Sequence, residues 1–296
     1  METIGNQDLI DFIGIGNGRS GSTWISEFLA QHPDVLFSSE KSRKELKFFC
    51  VASAWSNYEK GIGWYLKQFP PCQEGKVRGE FCPSYLHDKK SHLKIKEHFP
   101  GVKIIAVLRN PIDWIYASYQ WCRTAVYYGP TPESFEEALK LSQFGNSFLE
   151  GGFYFKLLSK YFDAFPAKNI HIIIFDDIKN NPQKVAMDLF SFLGVRGDFT
   201  PTILNEQVNK SKVVKSNFLH ALAHKFLKFA EKNWKSLFIF VNNSDLLHDM
   251  YNKLNIVDKE YAAVSPKTRE WLRDYYREDI HALEKLIGKD LSSWLK

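Results

Sequence analysis

Between residues 14 and 24 the chain reads Gly14-Ile-Gly-Asn-Gly-Arg19-Ser-Gly-Ser-Thr23-Trp24. Closely spaced glycines let a backbone curl so that several N–H groups face one anion, and Ser20, Ser22 and Thr23 add hydroxyl donors. The stretch departs from the nucleotide triphosphatase loop, G-x-x-x-x-G-K-[ST], at one position. Gly16, Gly21 and Thr23 fit, but Ser22 stands where the lysine belongs, and Arg19 is the cation of the loop. A triphosphatase sets its lysine on the outer phosphates and its hydroxyl on magnesium. The present loop is suited instead to hold one phosphate and to place a guanidinium beside a group in transfer. A glycine-rich turn that only starts a helix, or a degenerate kinase loop, are the alternatives.

A second stretch, Leu108-Arg109-Asn-Pro-Ile-Asp-Trp-Ile-Tyr-Ala-Ser118-Tyr119, places an arginine before a proline and a serine further on. Guanidinium and hydroxyl together suit a second phosphate. An arginine pairing with a nearby carboxylate is the plainer reading of the same residues. Glu45 closes a polar run that starts at Glu40, and such charge runs are more often solvated.

These residues need elements that hold them. Phe12-Ile-Gly-Ile-Gly16, Lys103 to Leu108 and Ile170 to Phe175 are short apolar runs that read as buried strands, with Val77 to Glu80 a weaker one. Ser22 to Ala30 reads as a helix following the first strand. Pro111 opens another, as proline favours the first turn. Pro182 to Leu193 reads as a third, stopped by Gly194. Apolar strands alternating with helices predict an α/β fold: a parallel sheet flanked by helices, with a strand–loop–helix of P-loop type. Residues 205–264 break the alternation and are expected to form a helical cap within a single domain spanning 1–296. In that cap Phe218, Leu219, Leu222, Phe226, Leu227 and Phe229 recur at helical spacing beside several lysines. The stripe is expected to pack on the protein itself, with a membrane surface as the alternative. Pro266 to Ile287 reads as a closing amphipathic helix, with Trp271, Leu272, Tyr275, Leu283 and Leu286 on its apolar stripe.

The 296 residues carry a formal net charge of +5, and 44% are hydrophobic. This is an ordinary globular composition, and its mild basicity suits an anionic ligand better than a nucleic acid. No apolar run reaches the roughly 18 residues of a membrane span, so stable membrane insertion is not expected. The N-terminal residues do not read as a signal peptide. Cys50, Cys72, Cys82 and Cys122 match no zinc spacing, and no other metal-ligand cluster is evident. A reduced, cytoplasmic protein is expected; nothing in the sequence fixes its oligomeric state.

The two anion motifs together resemble those of the sulfotransferases that use 3′-phosphoadenosine 5′-phosphosulfate (PAPS). Arg19-Ser-Gly-Ser-Thr23 is similar to their 5′-phosphosulfate loop, and Arg109-Asn-Pro…Ser to their 3′-phosphate motif. Lys44-Glu45-Leu-Lys-Phe48-Phe49, Lys60-Gly-Ile-Gly-Trp64-Tyr65, Pro83-Ser84-Tyr85, Phe192-Leu-Gly194 and the closing Leu286 to Trp294 resemble the heparan-sulfate branch and its bacterial relatives. The resemblance implies metal-independent transfer of a sulfuryl group to a hydroxyl, less readily an amine, of a small metabolite or glycan, with adenosine 3′,5′-bisphosphate (PAP) released. It implies that Gly18, Arg19, Ser20, Gly21, Ser22, Thr23, Trp24, Arg109, Ser118 and Lys212 bind the donor, and that Arg19 and Glu45 are catalytic, Glu45 as the general base that takes the acceptor's proton, with His87 the second candidate. Ser118 stands one residue beyond the family's serine position, which Ala117 occupies; one residue is about 100° of helical rotation. Phe81 stands where the heparan branch has a lysine, and Lys47 is a possible substitute. A P-loop kinase and an inactive nucleotide-binding protein are the competing readings.

Overall fold

The computed structural model describes residues 10–38, 45–53, 56–128, 131–141, 148–205, 212–242, 244–258 and 263–296. Lys44 and the loop residues Asn209, Lys210 and Ser211 lie outside them. The chain forms two compact units. The first comprises Met1–Pro111, Phe153–Val208 and Tyr276–Lys296; the second comprises Ile112–Gly152 and Asn209–Tyr275.

In the first unit, runs of β-branched and aromatic residues form β1 (Phe12–Gly16), β2 (Val35–Phe37), β3 (Val77–Phe81), β4 (Lys103–Leu108) and β5 (Ile170–Ile174). They make one parallel sheet of order β2-β3-β1-β4-β5. β1 is buried throughout, and β4 is buried beyond Lys103, as strands covered on both faces must be. Chain order reverses at the β1–β4 pair, so the carboxyl ends of these two strands flank the switch point at which open α/β sheets take ligands.

The helices of this unit start and stop as their end residues dictate. α1 (Ser22–Ala30) follows the glycine loop directly. The helix Pro182–Leu193 has proline in its first turn, the Asn181 side chain accepting the Lys184 N–H, and Gly194 at φ 80° as its stop. Phe12, Ile25, Phe28, Ile105, Leu189 and Phe190 are among the side chains of its core. Three details depart from the sequence reading. β2 is a three-residue edge strand where none was expected. Phe175 does not end β5 but opens a short helix, Phe175–Asn180. The apolar stripe of the closing helix, Pro266–Ile287, is Leu272, Tyr276, Ile280 and Leu283, all buried, while Trp271 and Tyr275 are exposed and stack on each other with ring centroids 5.5 Å apart. Two aromatics one turn apart can cover each other at the surface, so their spacing alone does not mark them as core.

The second unit contains the rest of the helix opened by Pro111, α2 here (Pro111–Thr124), the helix Phe135–Lys140, and a two-stranded antiparallel ribbon of Lys212–Val214 with Ile256–Asp258. Three further helices span Asn217–Asn233, Lys235–Asn242 and Asp245–Asn255. This unit takes in most of residues 205–264 together with Ile112–Gly152. Its small core takes Leu227, Ala230 and Phe238. The expectation that the Phe218–Phe229 stripe packs inward fails for most of its members. Phe218, Leu222, Phe226 and Phe229 are exposed. Asn217–Asn233 has two apolar sides, and the one carrying Leu227 is the one the core uses.

Candidate active site

The glycine loop is shaped by what the sheet leaves room for. Gly16 sits at φ 137°, and a Cβ there would lie 2.5 Å from the Val107 carbonyl oxygen. Only glycine permits this approach of β1 to β4. The Asn17 N–H then donates to the Val107 carbonyl (3.3 Å), and the chain turns back through Arg19, a non-glycine at φ 66°, and Gly21 at φ 93°. The first intrahelical bond of α1 runs from the Ile25 N–H to the Gly21 carbonyl (3.0 Å). The N–H groups of Ser22, Thr23 and Trp24 thus precede the helix's own ladder and sit at its positive end.

Ser20 carries the clearest mark of a missing partner. Its side chain is fully buried, and its Oγ has no hydrogen-bond partner among the described residues. A buried hydroxyl left unmatched costs roughly 1–3 kcal/mol. A phosphate oxygen held in the loop would match it. On the Gly18 side nothing lies within 4 Å of where a Cβ would stand, so the loop has room there. The loop residues therefore fit a bound phosphate group.

Two arginines meet at this loop. Arg109 follows β4, its Nη1 donates to the Arg19 carbonyl oxygen (3.1 Å), and its guanidinium lies 4.8 Å from the centre of the Phe175 ring. Arg19 is exposed. Behind the loop, the Asn17 side-chain amide donates to the Tyr154 hydroxyl (2.9 Å). Tyr154 is fully buried, burial pushes its phenol up, and its hydroxyl also meets the Arg109 backbone. Tyr154 thereby ties the two anion motifs together, and nothing around it in the chain signals this. The Trp24 ring does not reach the loop. It stacks on Phe28 at 5.0 Å and donates to the Ile203 carbonyl (3.2 Å), leaving only its backbone N–H for an anion.

On the other side of β1, Glu45 is half-buried and the residues after it are fixed from three directions. The Leu46 N–H donates to Glu80 Oε2 (3.3 Å), and the Leu46 carbonyl accepts from the Asn57 side-chain amide (2.8 Å). Lys47 adopts φ 50°. Phe48 and Phe49 are buried, the first stacked on Tyr65 at 4.7 Å and the second edge-on to Tyr85 at 5.7 Å. The aromatic pair anchors this segment in the core, as the sequence suggests.

Glu80 belongs to none of the motifs singled out in the sequence. It lies fully buried in β3, opposite Ile13 of β1, and its Oε1 accepts from both the Tyr65 hydroxyl (2.8 Å) and the Tyr85 hydroxyl (2.7 Å). Burial raises its carboxyl from the ordinary 4.5 to about 7; the three donors pull it back and the Glu45 charge adds to the rise. The available signal is a carboxylate inside a short strand, Val77 to Phe81, that also carries Arg78; a charge buried there requires partners. Phe81, next in the strand, is fully buried in the core, so no cation occupies that position. His87 follows the turn Pro83–Leu86 and is exposed. Ser118 is buried on α2 and belongs to the second unit, as does Lys212, which opens the ribbon strand. Among the described residues no group of His, Cys, Asp and Glu is placed to hold a metal ion.

A parallel sheet with a glycine loop at its switch point, Arg19 in that loop, Arg109 reaching it from the end of β4, and Glu80 of β3 bonded to the residue after Glu45 is an arrangement suited to an α/β group-transfer protein. Comparison with known proteins gives the family. Residues 9–260 match the sulfotransferase domain, and the chain belongs to that family. With the family comes the donor, PAPS, and its product PAP. The chain is 25% identical over 307 residues to the human bifunctional heparan sulfate N-deacetylase/N-sulfotransferase 3, covering 96% of this chain and 31% of that protein. It is 28% identical over 201 residues to bifunctional heparan sulfate N-deacetylase/N-sulfotransferase 1 of Caenorhabditis briggsae, covering 63% of this chain and 23% of that protein. It thus spans less than a third of the length of these relatives. A sulfotransferase from Alicyclobacillus acidocaldarius has the same fold, with a TM-score of 0.68, 20% identity and coverage of 97% of this chain and 99% of that one. Among the described residues no helix is long and apolar enough to cross a membrane.

Proposed function

We propose that this protein transfers a sulfuryl group from PAPS to a hydroxyl, less readily an amine, of a small metabolite or glycan. The observation that carries this reading is the buried Ser20 hydroxyl, without a partner among the described residues and set in a loop on which Arg19 and Arg109 converge. The donor supplies an activated sulfuryl group on its 5′-phosphate, and transfer to the acceptor oxygen leaves PAP. Gly18 to Trp24 hold the 5′-phosphate through backbone N–H groups and the Ser20, Ser22 and Thr23 hydroxyls. Arg19 stabilises the charge that grows on the leaving oxygen. Arginine keeps its proton at any working pH, so it acts as a fixed charge and not as an acid. Arg109 binds the 3′-phosphate. Glu45 takes the acceptor's proton, and Glu80 holds the backbone behind it. Four free cysteines accord with a reducing compartment, and we place the enzyme in the cytoplasm.

The test is donor binding and turnover without divalent metal. PAP binds in buffer containing a chelator, and mass spectrometry of an acceptor panel with PAPS detects a sulfated product. Arg109→Ala weakens PAP by roughly tenfold to a hundredfold, the value of a charge-assisted hydrogen bond, with little change in turnover at saturating donor. Preference for ATP with magnesium, or unaltered PAP affinity in Arg109→Ala, overturns the reading.

A further inference from the structure

The helix Asn217–Asn233 presents a face that the protein's own core does not use. At about 100° per residue, Phe218, Leu222, Phe226 and Phe229 fall within a stripe about 80° wide. All four are exposed, Phe218 by 80%. The buried residues of the same helix, His220, Leu227 and Ala230, point to another side. The stripe continues past the helix end, because the Phe229 ring meets exposed Trp234 edge-on at 5.2 Å. Lys225, Lys228 and Lys232 line one border of the stripe, and Lys235 follows Trp234; all four are exposed. Glu231 is the acidic residue between them, and it pairs with Lys228 (2.8 Å).

We propose that this face adsorbs to the surface of an anionic phospholipid bilayer, with the phenylalanines and Trp234 at the acyl boundary and the lysines among the headgroups. An aromatic stripe bordered by lysine is the signature of a helix lying in the membrane interface. Lysine stems can lie along apolar surface while their ammonium groups reach the phosphates. The charge distribution selects this occupant over a second copy of the chain. Two such faces packed on each other would bring their lysine borders together, and like charges at an interface are unfavourable. The adsorption is interfacial, since no helix among the described residues is long and apolar enough to cross a membrane.

The experiment is co-sedimentation of the full chain with vesicles of phosphatidylcholine alone and of phosphatidylcholine mixed with phosphatidylglycerol. The mixed vesicles bind it, the neutral ones bind it weakly, and added salt reduces the binding. A positive charge near an anionic surface is worth roughly fivefold in partitioning, so Lys225→Gln/Lys232→Gln lowers binding by roughly 25-fold. Phe226→Ser/Phe229→Ser lowers it by at least about tenfold through lost apolar burial. Circular dichroism and the unfolding midpoint of each variant stay at the wild-type values, as expected for exposed positions. Failure of the wild-type chain to sediment with mixed vesicles overturns the proposal, as does equal binding by both folded variants. So does a dimer that these substitutions dissociate and that forms in place of vesicle binding, because the face would then belong to a second copy.

Discussion

The glycine loop and the Glu45 segment flank the same strand, yet they are held differently. The loop takes its shape from its own glycines, and Val107, Arg109 and Tyr154 brace it. Gly16 has no space for a side chain, Gly21 has left-handed torsions, and α1 begins at once after them. The Glu45 segment is fixed by residues remote in the chain. Glu80 receives the Leu46 N–H, Tyr65 and Tyr85 hold Glu80, and Asn57 holds the Leu46 carbonyl. A phosphate cradle made of main-chain N–H groups can be encoded in eight consecutive residues, 16–23. A carboxylate proposed to face an acceptor has to be placed by tertiary contacts, and the segment that follows Glu45 is held by a buried acid with three donors.

The largest expected effect breaks the carboxylate side. Glu45→Gln keeps the shape of the side chain and removes its basicity. Turnover falls by roughly 10²–10⁴, the usual contribution of a general base, while PAP affinity measured by calorimetry stays unchanged. A loss of turnover smaller than about threefold assigns the proton transfer elsewhere, with His87 next in line.

The loop side is broken at Arg19, and the left-handed torsion there allows two substitutions to separate chemistry from strain. Arg19→Ala and Arg19→Gly each remove the charge and lower turnover by roughly 10²–10³. They differ in stability, because an L-residue in the left-handed region costs about 1–2 kcal/mol and glycine avoids it. Thermal unfolding therefore ranks Arg19→Gly above Arg19→Ala. The reverse ranking shows that the loop is not held in this conformation in solution.

Glu80→Gln sharpens the comparison with the smallest effect on rate. The new amide keeps a carbonyl for the two tyrosines but opposes a donor to the Leu46 N–H. Losing that one bond costs about 1.5 kcal/mol, or roughly tenfold in turnover, with PAP affinity unaltered. The same variant changes the pH dependence of folding. In the native chain Glu80 keeps its proton from about pH 4.5 to about 7, where the unfolded chain loses it. At Glu80 the native state binds more protons in that window, so this group lowers stability as the pH rises through it, by about 3 kcal/mol in all. His171, whose imidazole burial lowers to about 4, contributes the opposite slope up to about pH 6.5, so the Glu80 contribution is read as a difference: denaturant titrations show stability rising more with pH in Glu80→Gln than in the wild type. Identical profiles remove the shift from Glu80, and an unchanged turnover removes Glu80 from the positioning of Glu45.

Apolar runs, glycine and proline act over a few residues, and they suffice to delimit the strand Phe12–Gly16, the helix Ser22–Ala30 and the helix Pro182–Leu193. The phosphate loop is legible in the sequence for the same reason: its function lies in a contiguous backbone. Glu45 is legible only through resemblance, because its own surroundings in the chain are a polar run. Glu80 and Tyr154 cannot be read there, since their partners Leu46, Tyr65, Asn17 and Arg109 come from distant segments of the chain. Periodicity also cannot choose between the two apolar sides of Asn217–Asn233. A hydrophobic stripe states that a helix side can be buried, and only the packed neighbours select which side is. Turn chemistry and strand patterning are short-range, so the sheet, the glycine loop and the arginines that follow two of its strands are written in the chain itself. Burial and hydrogen-bond partnership depend on residues far apart in the chain, so it is the folded packing that buries Glu80, ties it to Leu46 beside Glu45 and leaves one aromatic face of Asn217–Asn233 exposed.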